Sequence, residues 1–319
     1  MGLGESLRRV YAAVGIQSFS FFIYSSYHQQ HKVLSLLRRC CCSELTSNKS
    51  NNTKMKCFLY LLYLLSAFNE PSAYQNKKPN RLDTTGKYAL INGINIYYEE
   101  YGAGEPLLLL HGNSESIQAF KMQIPEFAKH YHVIAVDTRG HGKSGDDGKT
   151  YSYNLFAEDV NALLKHLKIQ KTNIVGWSDG GNTGITLAIK YPDKVKKLAV
   201  MGANIFIDSS VVDDWVFKEL NQQLKELQND TSQWSKNRIR RINLLLTEPK
   251  LSFSDLKTIS CPVLVIAGEK DVIKEEHTRN IAKNIAKATL VIAPNETHDY
   301  PIENPESFNK LVLDFLQKN

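Results

Sequence analysis

Residues Asn173 to Gly181 read N-I-V-G-W-S-D-G-G, an apolar run that meets a serine with a glycine two positions to either side. A serine at the junction of a strand and a helix can be lifted out on a sharp turn. Neighbours without bulk let the two elements close on each other. The chemistry such a serine offers is nucleophilic. Its hydroxyl is weak until a base takes the proton, and a histidine base needs a carboxylate to hold its tautomer and stabilise its charge. Five positions with three fixed also arise by chance, so the rest of the chain must decide whether Ser178 is a nucleophile.

Two residues supply the missing types in the right order. His298 follows the apolar run Leu290–Ala293, and Asp271 follows the run from Pro262 to Ala267 in Gly268-Glu-Lys-Asp. Both fall in loops at the C-terminal ends of strands, where open α/β sheets bind ligands. Of nine histidines, His111 and His141 sit in turns and read as structural, while His130, His132, His166 and His277 read as surface positions. For the acid, Glu269, Asp299 and the position after the Lys197–Met201 strand compete with Asp271, although that last position offers only Asn204. Acyl transfer also needs donors for an oxyanion. The backbone N–H of Asp179, just after the serine, is one, and that of Asn113, after His111-Gly112, is the other. The Asp179 carboxylate has two readings. It is either an acid favoured by a helix N-terminus or a receiver for a cationic group of the substrate, with Trp177 as its substrate-binding neighbour.

These residues need a frame. Tyr88–Ile91 and Ile94–Tyr98 alternate around Asn92-Gly93, which reads as a hairpin. Pro106–Leu110 and His132–Val136 are all-apolar or nearly so, as in strands buried on both faces. Ile117–His130, Tyr153–Leu167, Asp179–Lys190, Glu275–Ala286 and Pro305–Leu316 have helical spacing. The alternation of strand and helix predicts a mostly parallel central sheet with helices on both faces. It breaks between about residues 207 and 256. There Trp215, Leu220, Leu224 and Leu227, then Ile239, Ile242, Leu245 and Leu246, recur at helical intervals, which predicts a short helical cap. Arg238, Arg240 and Arg241 read as the solvated face of that cap.

Composition narrows the class. The chain has 319 residues, with 42% hydrophobic and 23% charged, as in a globular protein. Residues 1–73 carry eight Lys/Arg against three Asp/Glu, or +5 of the formal +6, and the remainder carries 31 against 30. A near-neutral folded part argues against a nucleic-acid partner. Cys40, Cys41, Cys42 and Cys57 precede the domain and only Cys261 lies in it, so the domain holds no disulfide, and the cysteine spacing does not suit a metal. Residues 1–54 have no clear period and read as a poorly structured extension or a mis-called start. From Met55 the chain reads as a signal peptide over 55–73, with an apolar stretch too short to span a bilayer. That predicts an exported protein without a stable membrane span after processing. Residues 74–87 read as a linker and 88–319 as the domain.

With these motifs in order, the chain from Tyr88 onward resembles the α/β-hydrolase fold family. The matching segments are His111-Gly112, Asp137-Thr-Arg-Gly-His-Gly-Lys-Ser144, the Ser178 turn, Gly268–Asp271, and His298 with Glu303-Asn-Pro305. Gly176–Gly181 with Lys190-Tyr-Pro192 and Gly202-Ala-Asn204 is similar to the biphenyl hydrolase-like group that includes valacyclovir hydrolase. That resemblance implies recognition of the α-amino group of amino-acid esters by Asp179. The cap, shorter and different in sequence, and His111 depart from that group and leave the substrate range open. The expectation is a serine hydrolase of a small-molecule carboxylic ester, with no cofactor and no metal. Lactone or carbon–carbon bond hydrolysis, perhydrolysis on the same triad, and a non-catalytic ligand-binding relative are the alternatives. The oligomeric state is left open.

Overall fold

The computed structural model describes residues 86–318. The readings of residues 1–54, of the signal peptide at 55–73 and of linker residues 74–85 lie outside the described residues. Lys87, counted with the linker, instead opens strand β1 (Lys87–Ile91) and pairs with Tyr98. Strand β2 (Ile94–Tyr101) returns antiparallel across the Asn92-Gly93 turn.

The remaining strands are β3 (Pro106–Leu110), β4 (His132–Val136), β5 (Thr172–Trp177), β6 (Val195–Met201), β7 (Val263–Lys270) and β8 (Ala288–Thr297). They form one sheet of order β1-β2-β4-β3-β5-β6-β7-β8, parallel from β4 to β8. Side chains alternate between its faces. Leu108, Leu110 and Ile174 enter one core with Ala157, Leu164 and Ile185. Leu107, Leu109, Val175 and Trp177 enter the other with Phe120, Phe127, Phe308 and Val312. Each fully buried leucine contributes about 1.5–3 kcal/mol, which explains why β3 is leucine on both faces.

Helix α1 (Tyr153–His166) is started by Ser152, whose hydroxyl accepts from the Leu155 N–H. Helix α2 (Asp179–Lys190) follows β5 directly. The single helix expected over Ile117–His130 is two separate turns, Ile117–Phe120 and Ile124–Phe127. Pro125 has no N–H to continue an earlier turn, and the Ile117 N–H is held instead by Asp137 Oδ1 at 2.7 Å. The cap consists of α3 (Asp214–Leu227), α4 (Gln233–Thr247) and a turn at Phe253–Leu256. Val216 and Leu220 face inward from α3, whereas Trp215 is exposed. Leu244 of α4 packs with Tyr151, Tyr153 and Phe156 beside the start of α1. After the cap come α5 (Glu275–Lys283) and α6 (Pro305–Gln317). Strand β8 runs through Pro294, tolerated because β8 is a sheet edge. Its length carries the chain to the sheet end where β7 also stops. Among the described residues, no helix is long and apolar enough to cross a membrane.

Helix α2 approaches β3 closely. A Cβ at Gly180 would stand 1.9 Å from the Leu110 carbonyl oxygen, and one at Gly176 would stand 2.3 Å from the Gly180 oxygen. Gly180→Ala is therefore expected to cost about 1–3 kcal/mol or more, as overpacking does. Thermal unfolding checks this, and a variant melting with the wild type would contradict the packing described.

Candidate active site

Ser178 lies between β5 and α2 with φ 55° and ψ −119°. A non-glycine residue in that region costs on the order of 1–3 kcal/mol and persists only where its surroundings over-determine it. Here they do, since the Ser178 N–H donates to the Met201 carbonyl at 2.8 Å and the flanking glycines admit the helix. The serine is left half-buried at the end of the sheet. Asp179 opens α2, so its N–H is among the helix-start donors without an intrahelical acceptor. The loop after β3 runs alongside. A Cβ at Gly112 would lie 3.3 Å from Ser178 Cβ, which puts Asn113 next to the serine. His111 holds this loop from behind. Its Nδ1 meets the Gly112 carbonyl at 2.8 Å, its Nε2 accepts from the Thr138 N–H at 3.1 Å, and burial lowers its pKa, so it stays neutral.

Asp271 and His298 stand in the first residues past β7 and β8. His298 Nδ1 and Asp271 Oδ1 are 2.7 Å apart, with the carboxylate 1% exposed. The same oxygen accepts from the Ile273 N–H at 2.9 Å. The other positions considered for the acid are used differently. Glu269 accepts from the Asn295 N–H, and Asn204 is tied to Asn182. Burial pulls the His298 pKa down, but the charge and hydrogen bond of Asp271, with the charges of Asp299 and Asp179, outweigh it and leave it raised. With Nδ1 engaged, Nε2 is the ring nitrogen left to exchange a proton with a substrate or nucleophile. Ser178 Oγ makes no hydrogen bond among the described residues, a looseness common where no substrate is bound.

Gly202 clears the space for this pair. Its φ is +61°, and a Cβ there would stand 2.6 Å from the His298 ring and 3.2 Å from Asp271 Oδ2. Trp177 is 4% exposed, and its indole N–H donates to the His298 carbonyl at 2.8 Å. It thus lies in the core beneath the histidine loop and supports that loop.

Asp179 is buried with both oxygens engaged. Tyr153 Oη donates to Oδ1 at 2.7 Å and Asn113 Nδ2 to Oδ2 at 2.9 Å. Burial raises its pKa, and those two hydrogen bonds work in the opposite direction. Tyr153 was not legible as a site residue, since its only sequence mark is a position just inside a helix start. Two expectations are corrected. The arginines of α4 are not a solvated face: Arg241 is 9% exposed, Arg240 bonds Asp146 and lies over the Tyr151 ring, and Arg238 reaches Ser114. A helix that also buries Ile242 and Leu244 turns these neighbours inward. His277 is buried rather than superficial. It accepts from the Ile205 N–H at 3.2 Å among Phe206 and Phe253, and burial lowers its pKa to about 4.

Comparison with known proteins bears on the fold. Residues 105–223 match the family model of the alpha/beta hydrolase fold. A hydrolase from Pseudomonas aeruginosa PA01, 23% identical, superposes with a TM-score of 0.64 over 73% of this chain and 99% of its own. The chain has the α/β-hydrolase fold. Among its relatives, it resembles the biphenyl hydrolase-like group. "Serine hydrolase BPHL" of Homo sapiens is 28% identical over 263 residues, covering 73% of this chain and 87% of that protein. The (E)-2-((N-methylformamido)methylene)succinate hydrolase of Acinetobacter baylyi is 26% identical, covering 72% and 96%.

The raised His298 pKa has a direct consequence. Its imidazolium should persist above pH 6.5 in an NMR titration of the ring, and Asp271→Asn, which removes the charge holding it up against burial, should move the midpoint down. An unmoved midpoint would mean that Asp271 does not set it.

Proposed function

We propose that the chain is a serine hydrolase of small carboxylic esters working through an acyl-enzyme on Ser178. The observation that carries this reading is the 2.7 Å His298–Asp271 contact at the end of the sheet where the strained serine stands. His298 Nε2 takes the Ser178 proton as Oγ bonds to the ester carbonyl carbon. Negative charge then develops on the carbonyl oxygen, and the N–H groups of Asp179 and Asn113 receive it, each worth about 3 kcal/mol in the transition state. As the tetrahedral species collapses, the C–O bond to the alcohol breaks and His298 returns the proton to it. Water repeats the sequence on the acyl-enzyme, with His298 again as base, and frees the acid and Ser178.

Asp179 points to the substrate class. Each of its oxygens takes one hydrogen bond and keeps acceptor capacity, so an ammonium group beside the scissile ester can be received there. An α-amino-acid ester has that arrangement. The 28% likeness to the serine hydrolase BPHL supports the reading at the level of the family.

Ser178→Ala is expected to lower hydrolysis of a p-nitrophenyl acyl ester by roughly 10⁴-fold or more with the melting temperature kept. Undiminished turnover would discard the mechanism. Matched esters with and without a free α-amino group test the specificity. Wild type should prefer the amine, and Asp179→Asn should lose most of that preference; equal turnover of both esters by wild type sinks the amino-acid ester reading.

A further inference from the structure

A guanidinium in the cap is wired to the loop that carries one of the proposed oxyanion donors. Arg238 of α4 donates from Nη1 to Ser114 Oγ at 2.5 Å and from Nη2 to Gln223 Oε1 of α3 at 2.6 Å. Ser114 Oγ donates to Asn113 Oδ1 at 2.8 Å. Asn113 Nδ2 donates to Asp179 Oδ2 at 2.9 Å and to the Arg241 carbonyl of α4 at 3.2 Å. The three bonds from Arg238 through Ser114 and Asn113 to Asp179 point the same way, from a cation in the cap to a carboxylate beside Ser178, so each polarises the next. The bonds to Gln223 and to the Arg241 carbonyl anchor the chain to the cap.

The loop needs such a restraint. Ser114 has φ +62°, a left-handed conformation uncommon for a non-glycine residue. Its hydroxyl is fixed on both sides, as acceptor to Arg238 and as donor to Asn113, and the Asn113 side chain is fixed at both ends. The peptide carrying the Asn113 N–H is therefore oriented by contacts that begin in the cap. The relay also answers an electrostatic difficulty. A buried carboxylate next to a developing oxyanion opposes catalysis, and the Asn113 amide on Asp179, polarised through Ser114 by Arg238, draws part of that charge away from the reacting oxygen.

We propose that Arg238 is a positioning residue for the reaction. Through Ser114 and the Asn113 side chain it sets the Asn113 N–H at the oxyanion, so that the site is competent only when the cap is docked. This rests on the acyl-enzyme reading at Ser178. A group acting only on the transition state changes kcat and leaves KM nearly alone. Displacing one donor, rather than deleting it, is expected to lower kcat roughly tenfold to a hundredfold.

Arg238→Met keeps length and packing and removes both donors. It should lower kcat by that factor on a p-nitrophenyl ester with KM little changed. Arg238→Lys, with one donor group for two partners, should recover part of the loss. Ser114→Ala should match Arg238→Met, and the double variant should be no worse than either, since both cut one wire. Amide exchange of residues 112–116 should quicken about tenfold in Arg238→Met while that of α2 is unchanged. A rise in KM at constant kcat, losses that add in the double variant, or unchanged exchange of 112–116 would each overturn the proposal. A wild type that neither hydrolyses the ester nor is labelled at Ser178 by a fluorophosphonate would instead refute the serine-hydrolase reading, and the exchange measurement would still decide the relay.

Discussion

The first turn of α2 lies so close to the ends of β3 and β5 that neither Gly180, against Leu110, nor Gly176, against Gly180, has room for a methyl group. The rest of the site depends on this one steric constraint. It forces the chain at Ser178 into a left-handed turn, and so raises the hydroxyl above the sheet. It also draws Leu110, His111 and Gly112 against the serine, so the loop that follows β3 has no separate route. Two segments from distant parts of the sequence, at Asn113 and at Asp179, thereby flank one side chain; they are placed by packing against a leucine-rich strand and joined by the Asn113–Asp179 hydrogen bond. A rigid strand end is the better support for such a group, because loops alone rarely hold donors to within the tolerance that catalysis requires.

The second demand is electrostatic. His298, Asp271 and Asp179 are gathered where water is largely excluded, and there a charge without a partner is costly. Each is compensated locally. Asp271, with the charges of Asp299 and Asp179, outweighs burial at His298, while at His111 burial outweighs the pull of the Asp137 charge, so that ring is held neutral and serves as a brace. Two histidines of one chain thus differ in role because one faces a carboxylate and the other a carbonyl and an N–H. Gly202 belongs to the same economy of space, for any side chain there would occupy the position of the histidine ring.

Much of this was legible in the sequence, and the reason is locality. The Ser178 turn is a contiguous pattern, and strands buried on both faces announce themselves as apolar runs. His298 and Asp271 could be picked out because topology confines site residues to strand ends, even though 27 positions separate them. What stayed hidden depends on side chains meeting across long separations. Arg238 and Ser114 are 124 positions apart, and Tyr153 and Asp179 belong to different helices. Helix periodicity gives a face but not what covers it, so of three arginines that read as solvated, Arg238 is drawn inward by Ser114, Arg240 by Asp146 and the Tyr151 ring, and Arg241 is buried. The expected helix over Ile117–His130 failed for a local reason: its spacing was helical, but Pro125 lacks the N–H that would continue the first turn, and the segment divides into two turns.

The cap therefore does more than shape a pocket. A pocket wall contributes through area, and its effect on an ester would be felt as affinity. A guanidinium that ends in a hydrogen-bonded chain on Asn113 and Asp179 contributes through orientation, and its effect is felt where charge develops. Orientation also explains why a carboxylate can be tolerated beside the serine. With Tyr153 on one oxygen and the Asn113 amide on the other, Asp179 enters the reaction already solvated by fixed dipoles, which need not reorganise as the oxyanion forms. On the proposed reading, the same carboxylate would meet a substrate ammonium without opposing the chemistry one residue away.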